Sequence, residues 1–480
     1  MVGMTGLEPA TSSSRTKRST RLNYIPFEHR YKYLKKKIRQ AFFLRFCKFL
    51  RLYEYNLQKL RQIHMNQKIK SKINNTFRAL YQRNYRLFFI GQGISLIGSW
   101  IQNIAMSWLV YKLTQSAFLM GTITFINNLP SILVSPLAGV IIDRVNKYKM
   151  LICLQSLFLL QALILALLTL LGVIQIWHIV VIGVLTNVIA AFDMPLRQSL
   201  VINLVSNPKD LSNAISLNSS NFNLARLLGP AIAGVLIAKF SEGICFLINA
   251  ISYLAVIWAL LLMHLELPES KPVKLKNLKK EFVEGVNYAM HCPPIKVVLL
   301  FLAFVSFIGI SYPLLMPIFA NEILLGGATT LGILMSSSGI GALASSLFLA
   351  SRKDARGLQN LIFYGAVIFA LSFVSLGFIH NQTGAVIAMF FLGQGMIMGL
   401  ISTNTLLQQV VDNDKRGRVM SLYTIAFIGT VPWGNLFAGT IAQKIGVSET
   451  FVFLGLLLLV VSFLFRSKTV KINFDDYLKN

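Results

Sequence analysis

Twelve stretches of this chain are each apolar over roughly the 20 residues that an α-helix needs to cross a hydrocarbon core. They lie near 87–111, 118–142, 150–171, 175–194, 213–238, 244–264, 296–319, 329–350, 359–379, 384–408, 419–442 and 450–466. Inside a bilayer no water is at hand to satisfy backbone N–H and C=O groups, so such a segment bonds to itself as a helix. Composition enters at this point. Hydrophobic residues are 55% of the 480 and charged residues only 13%, with a mean hydropathy of +0.62, whereas about a quarter charged is usual for a soluble domain. So few charges leave a soluble surface of this size uncovered, which disfavours a soluble enzyme, a disordered chain and a secreted disulfide scaffold. Cys47, Cys153, Cys245 and Cys292 form no C-x-x-C pair; they read as packing residues that imply neither metal nor disulfide.

A net charge of +28 would point to nucleic acid in a soluble chain, but here the excess is local. Residues 1–86 hold 21 Lys/Arg against three Glu, so +18 of it precedes the first span. Loops after even-numbered spans carry Arg144, Lys147 and Lys149, then Arg197 and Lys209, then Lys271, Lys274, Lys276, Lys279 and Lys280. Arg352, Lys353 and Arg356 follow, then Lys415, Arg416 and Arg418, while loops after odd-numbered spans offer Lys112, Lys239 and Lys444. By the positive-inside rule both termini and the 266–294 loop are cytoplasmic. The partner this charge implies is a lipid bilayer, with no nucleic acid.

The spans divide into a first six-helix set within 65–266 and a second within 295–466, joined by a cytoplasmic linker at 267–294 and followed by a tail at 467–480. In the linker, prolines 268, 272, 293 and 294 flank a charged stretch, 278–290, that reads as a surface helix. The halves repeat. Gly121 and Asp143 match Gly332 and Asp354 at an offset of 211, and Ser216, Gly229, Gly234 and Lys239 match Ser421, Gly434, Gly439 and Lys444 at an offset of 205. The expected fold is therefore an all-α membrane protein of twelve transmembrane helices in two pseudo-symmetric six-helix bundles, with a site where the bundles face each other. Residues 1–64 stand outside this pattern. They read either as a basic membrane-surface segment or as sequence upstream of a native start at Met65. No apolar run in the first 30 residues has the length of a cleavable signal.

The loop after span two runs Gly139-Val-Ile-Ile-Asp143-Arg144-Val-Asn146-Lys147. It resembles the G-x-x-x-D-R-x-x-[RK] signature of the major facilitator superfamily. Asn146 stands where the family usually has glycine and still tolerates a left-handed turn. Its counterpart after span eight is degraded to Ser351-Arg-Lys-Asp354-Ala-Arg356. Two more stretches, Asp193-Met-Pro195-Leu-Arg197 continuing to Asn223-Leu-Ala-Arg226-Leu-Leu-Gly229-Pro230-Ala-Ile-Ala-Gly234, and Arg416-Gly417-Arg418-Val-Met-Ser421 with Pro432-Trp433-Gly434, resemble the enterobactin-exporter and macrolide-efflux branch, also called transmembrane secretion effectors. The resemblance covers about 65–466.

The resemblance implies a secondary transporter, a monomer in a bacterial cytoplasmic (inner) membrane. It also implies a gating latch. Asp143 would lie against the start of span eleven near Arg418, where a helix dipole favours negative charge; Arg144 would meet Asp193; Asp354 would face Ser212. The alternative is that these charges only set topology. Gly229, Pro230 and Gly234 resemble the tail of the family's antiporter motif, and serve equally as a close-packing motif.

Arg226 is the most informative single residue. It falls near the middle of span five, where an unpaired charge costs from about 2.5 to well over 10 kcal/mol, and no Asp or Glu lies at that depth in any span. Amides such as Asn187, Asn223 or Gln408 would hold it in an internal tie, or it would meet an anionic ligand. Further cavity candidates are Gln92 and Asn103 in span one, Asn128 in span two and Trp433 in span eleven, which supply amides and a ring. No phosphate loop, H-E-x-x-H set or G-x-S-x-G elbow occurs, so neither catalysis, nor a cofactor, nor a metal is expected. The reading is export of a small amphiphilic compound, siderophore or drug-like, by alternating access on a proton gradient. The rivals are an importer or lipid transporter of the same fold, a membrane subunit driven by a separate ATPase, and a non-transporting membrane sensor.

Overall fold

Continuous apolar sequence without alternation gives long helices here, broken where proline or glycine interrupts the backbone ladder. The computed structural model describes residues 77–142, 145–205, 208–263, 278–352, 356–412 and 415–470, with 472 and 474. The tail 1–64, Asp143, Arg144 and Asp354 lie outside the described residues. A first set of helices comprises α1 (Arg83–Thr114), α2 (Ala117–Ile142), α3 (Lys147–Leu170), α4 (Ile176–Leu204), α5 (Pro208–Lys239) and α6 (Glu242–Leu261). A short helix α7 (Leu278–His291) occupies the linker stretch. Then follow α8 (Pro293–Gly309), α9 (Tyr312–Ile318), α10 (Gly327–Ala350), α11 (Leu358–Phe378), α12 (Gln382–Val410), α13 (Arg416–Ile428), α14 (Val431–Ile445) and α15 (Val447–Thr469).

Among the described residues, eleven segments are long and apolar enough to cross a membrane. Helix α1 is not among them, although its 32 residues exceed the length required. Gln92, Ser95, Ser99, Gln102, Asn103 and Ser107 interrupt its apolar run.

Two of the apolar runs are interrupted rather than continuous. The seventh breaks at Ile310–Ser311 between α8 and α9 and ends in a π-turn, Phe319–Ile323. Pro313 opens α9 and Pro317 sits inside it, and neither supplies a backbone N–H to the ladder. The eleventh breaks at Gly429–Thr430 between α13 and α14, just ahead of Pro432.

Within the first set, α1 packs on α5 and α6, α3 on α6, and α2 on α4. Within the second, α12 packs on α10 and α11, and α11 on α15. The polarity of span one has a use other than lining a cavity. Gln102 donates to Gln161 Oε1 at 3.3 Å and accepts from Asn249 Nδ2 at 2.7 Å, and Ser99 meets the Tyr253 hydroxyl at 3.2 Å. These bonds tie α1 to α3 and α6 inside the first set. Gly395 of α12 likewise serves packing: a Cβ there would lie 2.5 Å from the Gly365 carbonyl oxygen of α11.

Candidate substrate cleft and its gates

The two sets meet chiefly through two helix pairs, α2 with α14 and α5 with α10, with α9 also touching α1 and α2. At the first crossing a Cβ built on Gly121 would lie 2.7 Å from the Asn435 carbonyl oxygen and 3.3 Å from Gly439 Cα. At the second, a Cβ on Gly332 would lie 2.6 Å from the Pro230 carbonyl oxygen and 2.9 Å from Gly234 Cα. Only residues without a side chain let backbones approach so closely. These four glycines are the repeat landmarks. Gly121 corresponds in sequence to Gly332 and Gly234 to Gly439; in space the correspondence is crossed, so each landmark of one repeat meets the other landmark in the opposite half. Gly229 and Gly434 keep the same symmetry, the first facing Trp100 of α1 and the second Phe307 of α8.

Both crossings lie near the ends that carry the loops after odd-numbered spans. There Ser116 Oγ donates to Gln443 Oε1 at 2.8 Å. The Tyr111 hydroxyl donates to Glu322 Oε1 at 2.9 Å and accepts from Asn321 Nδ2 at 2.8 Å. Toward the opposite ends the same helix faces lose their cover. On α5, positions 227, 230 and 234 touch α10; the continuation of that face is Asn223, Ser220, Ser219, Ser216 and Ser212, half-buried or exposed. Ser216, Ser219 and Ser220 return their hydroxyls to carbonyls one turn back on their own helix, at 2.9, 3.0 and 2.9 Å, as hydroxyls do when no neighbouring helix offers a partner. On α13, exposed Ser421 and Thr424 do the same. A cleft with polar walls therefore runs up to the two glycine crossings.

Arg226 stands at the head of this cleft. Its carbonyl oxygen lies 3.1 Å from where a Cβ on Gly339 of α10 would sit, and the residue is 9% exposed. Among the described residues it has no hydrogen-bond or ion-pair partner, yet its nitrogens are not sealed from open space. Two of the amides proposed to hold it are engaged elsewhere: Asn187 Nδ2 donates to Gly183 O at 3.1 Å and Gln408 Nε2 to Asn404 Oδ1. Asn223 lies one turn toward the cleft mouth and is half-buried. Trp433, 53% exposed, meets Phe125 edge-on at 4.9 Å across the α2–α14 crossing. Asn103 is exposed, Asn128 bonds back to Thr124 O at 2.8 Å, and Gln92 is buried with Oε1 unpartnered. Gly229 and Gly234 are packing positions, with Pro230 inside α5 between them.

The residues read from the sequence as a gate are found with partners that sequence reasoning missed. Gly139 falls within α2, and Lys147 begins α3. Asn146 is not left-handed. At φ −67° and ψ 106° it is extended and caps α3, its side chain accepting from Lys149 N at 3.0 Å. Asp193 pairs with Arg197 one turn on, at 2.7 Å, and accepts from Gln155 Nε2 at 2.8 Å. Arg418 pairs with Glu284 of α7 at 2.7 Å. Helix α7 is further tied to the second set by Tyr288, whose hydroxyl donates to Asp412 Oδ2 at 3.0 Å; burial raises the pKa of that phenol above its ordinary range. The Glu at 284 and the Asp at 412 are visible as charges in the sequence, but nothing in their spacing pairs them with 418 and 288.

Fold and cleft define a multi-pass membrane transporter rather than an enzyme. Residues 74–477 match the family described as transmembrane secretion effector, and the chain belongs to that family, within the major facilitator superfamily. It is 26% identical over 399 residues to the staphyloferrin A transporter of Staphylococcus aureus, an alignment covering 82% of this chain and 98% of that one. It is 20% identical over 389 residues to macrolide efflux protein A of Streptococcus pyogenes, covering 79% and 95%. Among solved structures, a bacterial homologue of the human lysosomal transporter Spinster, inward-facing and unoccupied, shares the fold at a TM-score of 0.62 and 15% identity, covering 83% of this chain and 98% of that chain.

Proposed function

We propose that this protein exports a small amphiphilic compound, siderophore-like or drug-like, by alternating access coupled to a proton gradient. In this reading the chain makes twelve spans, α1 included, as two pseudo-symmetric bundles within 65–266 and 295–466 joined by the 267–294 linker. It works as a monomer in the cytoplasmic membrane, with both termini in the cytoplasm. The observation that carries the reading is the one-sided closure. Glycine crossings join the sets near the lysine-poor loops, while a polar-walled cleft lies toward the basic ones; in this reading, by the positive-inside rule, its mouth faces the cytoplasm. Relatives named for a siderophore and for macrolides support the substrate class. Exposed Trp433 packed on half-buried Phe125, together with the exposed serines of α5, offers surface for a ligand that is apolar and hydrogen-bonding at once. The test is uptake into liposomes holding the chain in everted orientation, with an imposed proton gradient and a panel of catecholate siderophores, macrolides and cationic dyes. Gradient-dependent uptake of one class is expected. No uptake of any member by folded, correctly oriented protein would reject export of these compounds.

A further inference from the structure

An arginine that is nine-tenths buried at the head of a transport cleft requires a counter-charge, and the described residues provide none. Guanidinium keeps its proton at any physiological pH, so unlike a carboxylate or lysine it cannot escape the cost of burial by neutralising itself. The repeat does not duplicate Arg226: at the offset of 205 its counterpart is Val431. A second unsatisfied group sits at the same helix crossing. On α10, Gly332, Ser336 and Gly339 fall on one face at helical spacing, and the two glycines touch α5 at Pro230–Gly234 and at Arg226–Leu227. Ser336 lies between them, and its hydroxyl oxygen is buried with no hydrogen-bond partner. A mostly buried arginine whose guanidinium opens toward the cleft and a buried, unpaired hydroxyl thus share the α5–α10 crossing, one from each half.

We infer that Arg226 and Ser336 form an oxyanion subsite, and that the transported compound is an amphiphile bearing a carboxylate, which Arg226 engages as a two-pronged donor while the Ser336 hydroxyl donates to the same group. The site bridges the halves, so a bound anion ties α5 to α10. The inference rests on the transporter reading above for its cargo, but not on the direction of transport.

The test uses the full chain in lipid nanodiscs and three matched probes: 2-naphthoate, the neutral 2-naphthamide and the cationic 2-naphthylmethylammonium, with dissociation constants from calorimetry. Wild type should bind the carboxylate at least tenfold more tightly than the amide, and the cation most weakly. Arg226→Gln should abolish that preference while leaving the amide's affinity within about twofold. Arg226→Lys, which keeps charge but loses the fork, should retain only part of it. Should the Arg226 variants fail to fold, Ser336→Ala should still narrow the carboxylate preference several-fold. Equal binding of carboxylate and amide by wild type, absence of carboxylate binding, or an unchanged preference in Arg226→Gln or in Ser336→Ala overturns the subsite. The liposome assay separates the two readings. Carboxylate preference without gradient-driven uptake rejects export and keeps the subsite, whereas uptake of a macrolide or cationic dye that is unaffected by Arg226→Gln keeps export and rejects the subsite.

Discussion

A Cβ placed on Gly332 would stand 2.6 Å from the carbonyl oxygen of Pro230, in the opposite half of the chain. Backbone cannot retreat as a side chain does, so Gly332→Ala overpacks the crossing, at a typical cost of about 1–3 kcal/mol. The melting temperature of the purified full chain should fall by several degrees, and by a similar amount in Gly121→Ala at the symmetry-related crossing. Gly399→Ala is the control. The nearest atom there is 4.0 Å away, and replacing an unstrained helical glycine stabilises by about 0.4–1 kcal/mol.

Asp193 and Arg197, with side chains 14% and 16% exposed, form a network with buried Gln155 within the first set. Asp193→Asn leaves Arg197 without its carboxylate, and breaking a buried pair from one side costs about 3–5 kcal/mol. The expected result is a large loss of folded yield by size-exclusion chromatography. Adding Arg197→Gln should recover part of it, because the stranded charge is then gone.

Arg418 is held by Glu284 in this structure, whereas the signature loop predicts a partner in Asp143. The Glu284 pair is partly solvated, with side chains 28% and 43% exposed, and such pairs contribute at most about 1 kcal/mol. Glu284→Gln should therefore alter transport by no more than a few-fold. Asp143→Asn, acting on the latch itself, should lower transport by about tenfold, in the usual range for coupling between conformational states, with unchanged surface expression. Equal transport by wild type and Asp143→Asn would remove the latch from the mechanism.

Burial raises the Tyr288 phenol above the ordinary tyrosine value of 10.0, so its folded state favours the protonated form. The stability it contributes is fully present below the unfolded value of about 10 and declines as pH rises through the higher folded value. Docking of α7 should accordingly weaken only in strongly alkaline solution. In spectrophotometric titration, the difference between wild type and Tyr288→Phe should show one phenol ionising later than a free tyrosine.

Much of the architecture was legible because a bilayer permits so few solutions to a long apolar run. The crossed glycine contacts follow from the repeat offsets, since landmarks at matching depth in two related halves have little else to meet. The breaks at Ile310–Ser311 and Gly429–Thr430 were not anticipated, although Pro313 and Pro432 stand beside them; a proline in a span does not say whether neighbouring helices will re-satisfy the freed carbonyls. Polarity alone did not separate cavity from core either. Gln102 and Asn103 are sequence neighbours on α1, yet the first is buried in the α1–α3–α6 network and the second is exposed. Pairings such as Glu284 with Arg418 depend on where α7 docks, which spacing along the chain does not encode.

The lack of a symmetry mate for Arg226 has an electrical consequence. Moving one elementary charge through a membrane is worth about 2.3 kcal/mol per 100 mV, and a reorienting cleft carries its fixed charge through part of that field. On the oxyanion reading, a monovalent carboxylate cancels the guanidinium, so the loaded protein crosses as a neutral pair and the voltage has little hold on it. The empty protein returns with its charge bare. An interior-negative potential draws a bare cation toward the cytoplasm, so on this reading voltage resets the vacant binding site toward that side.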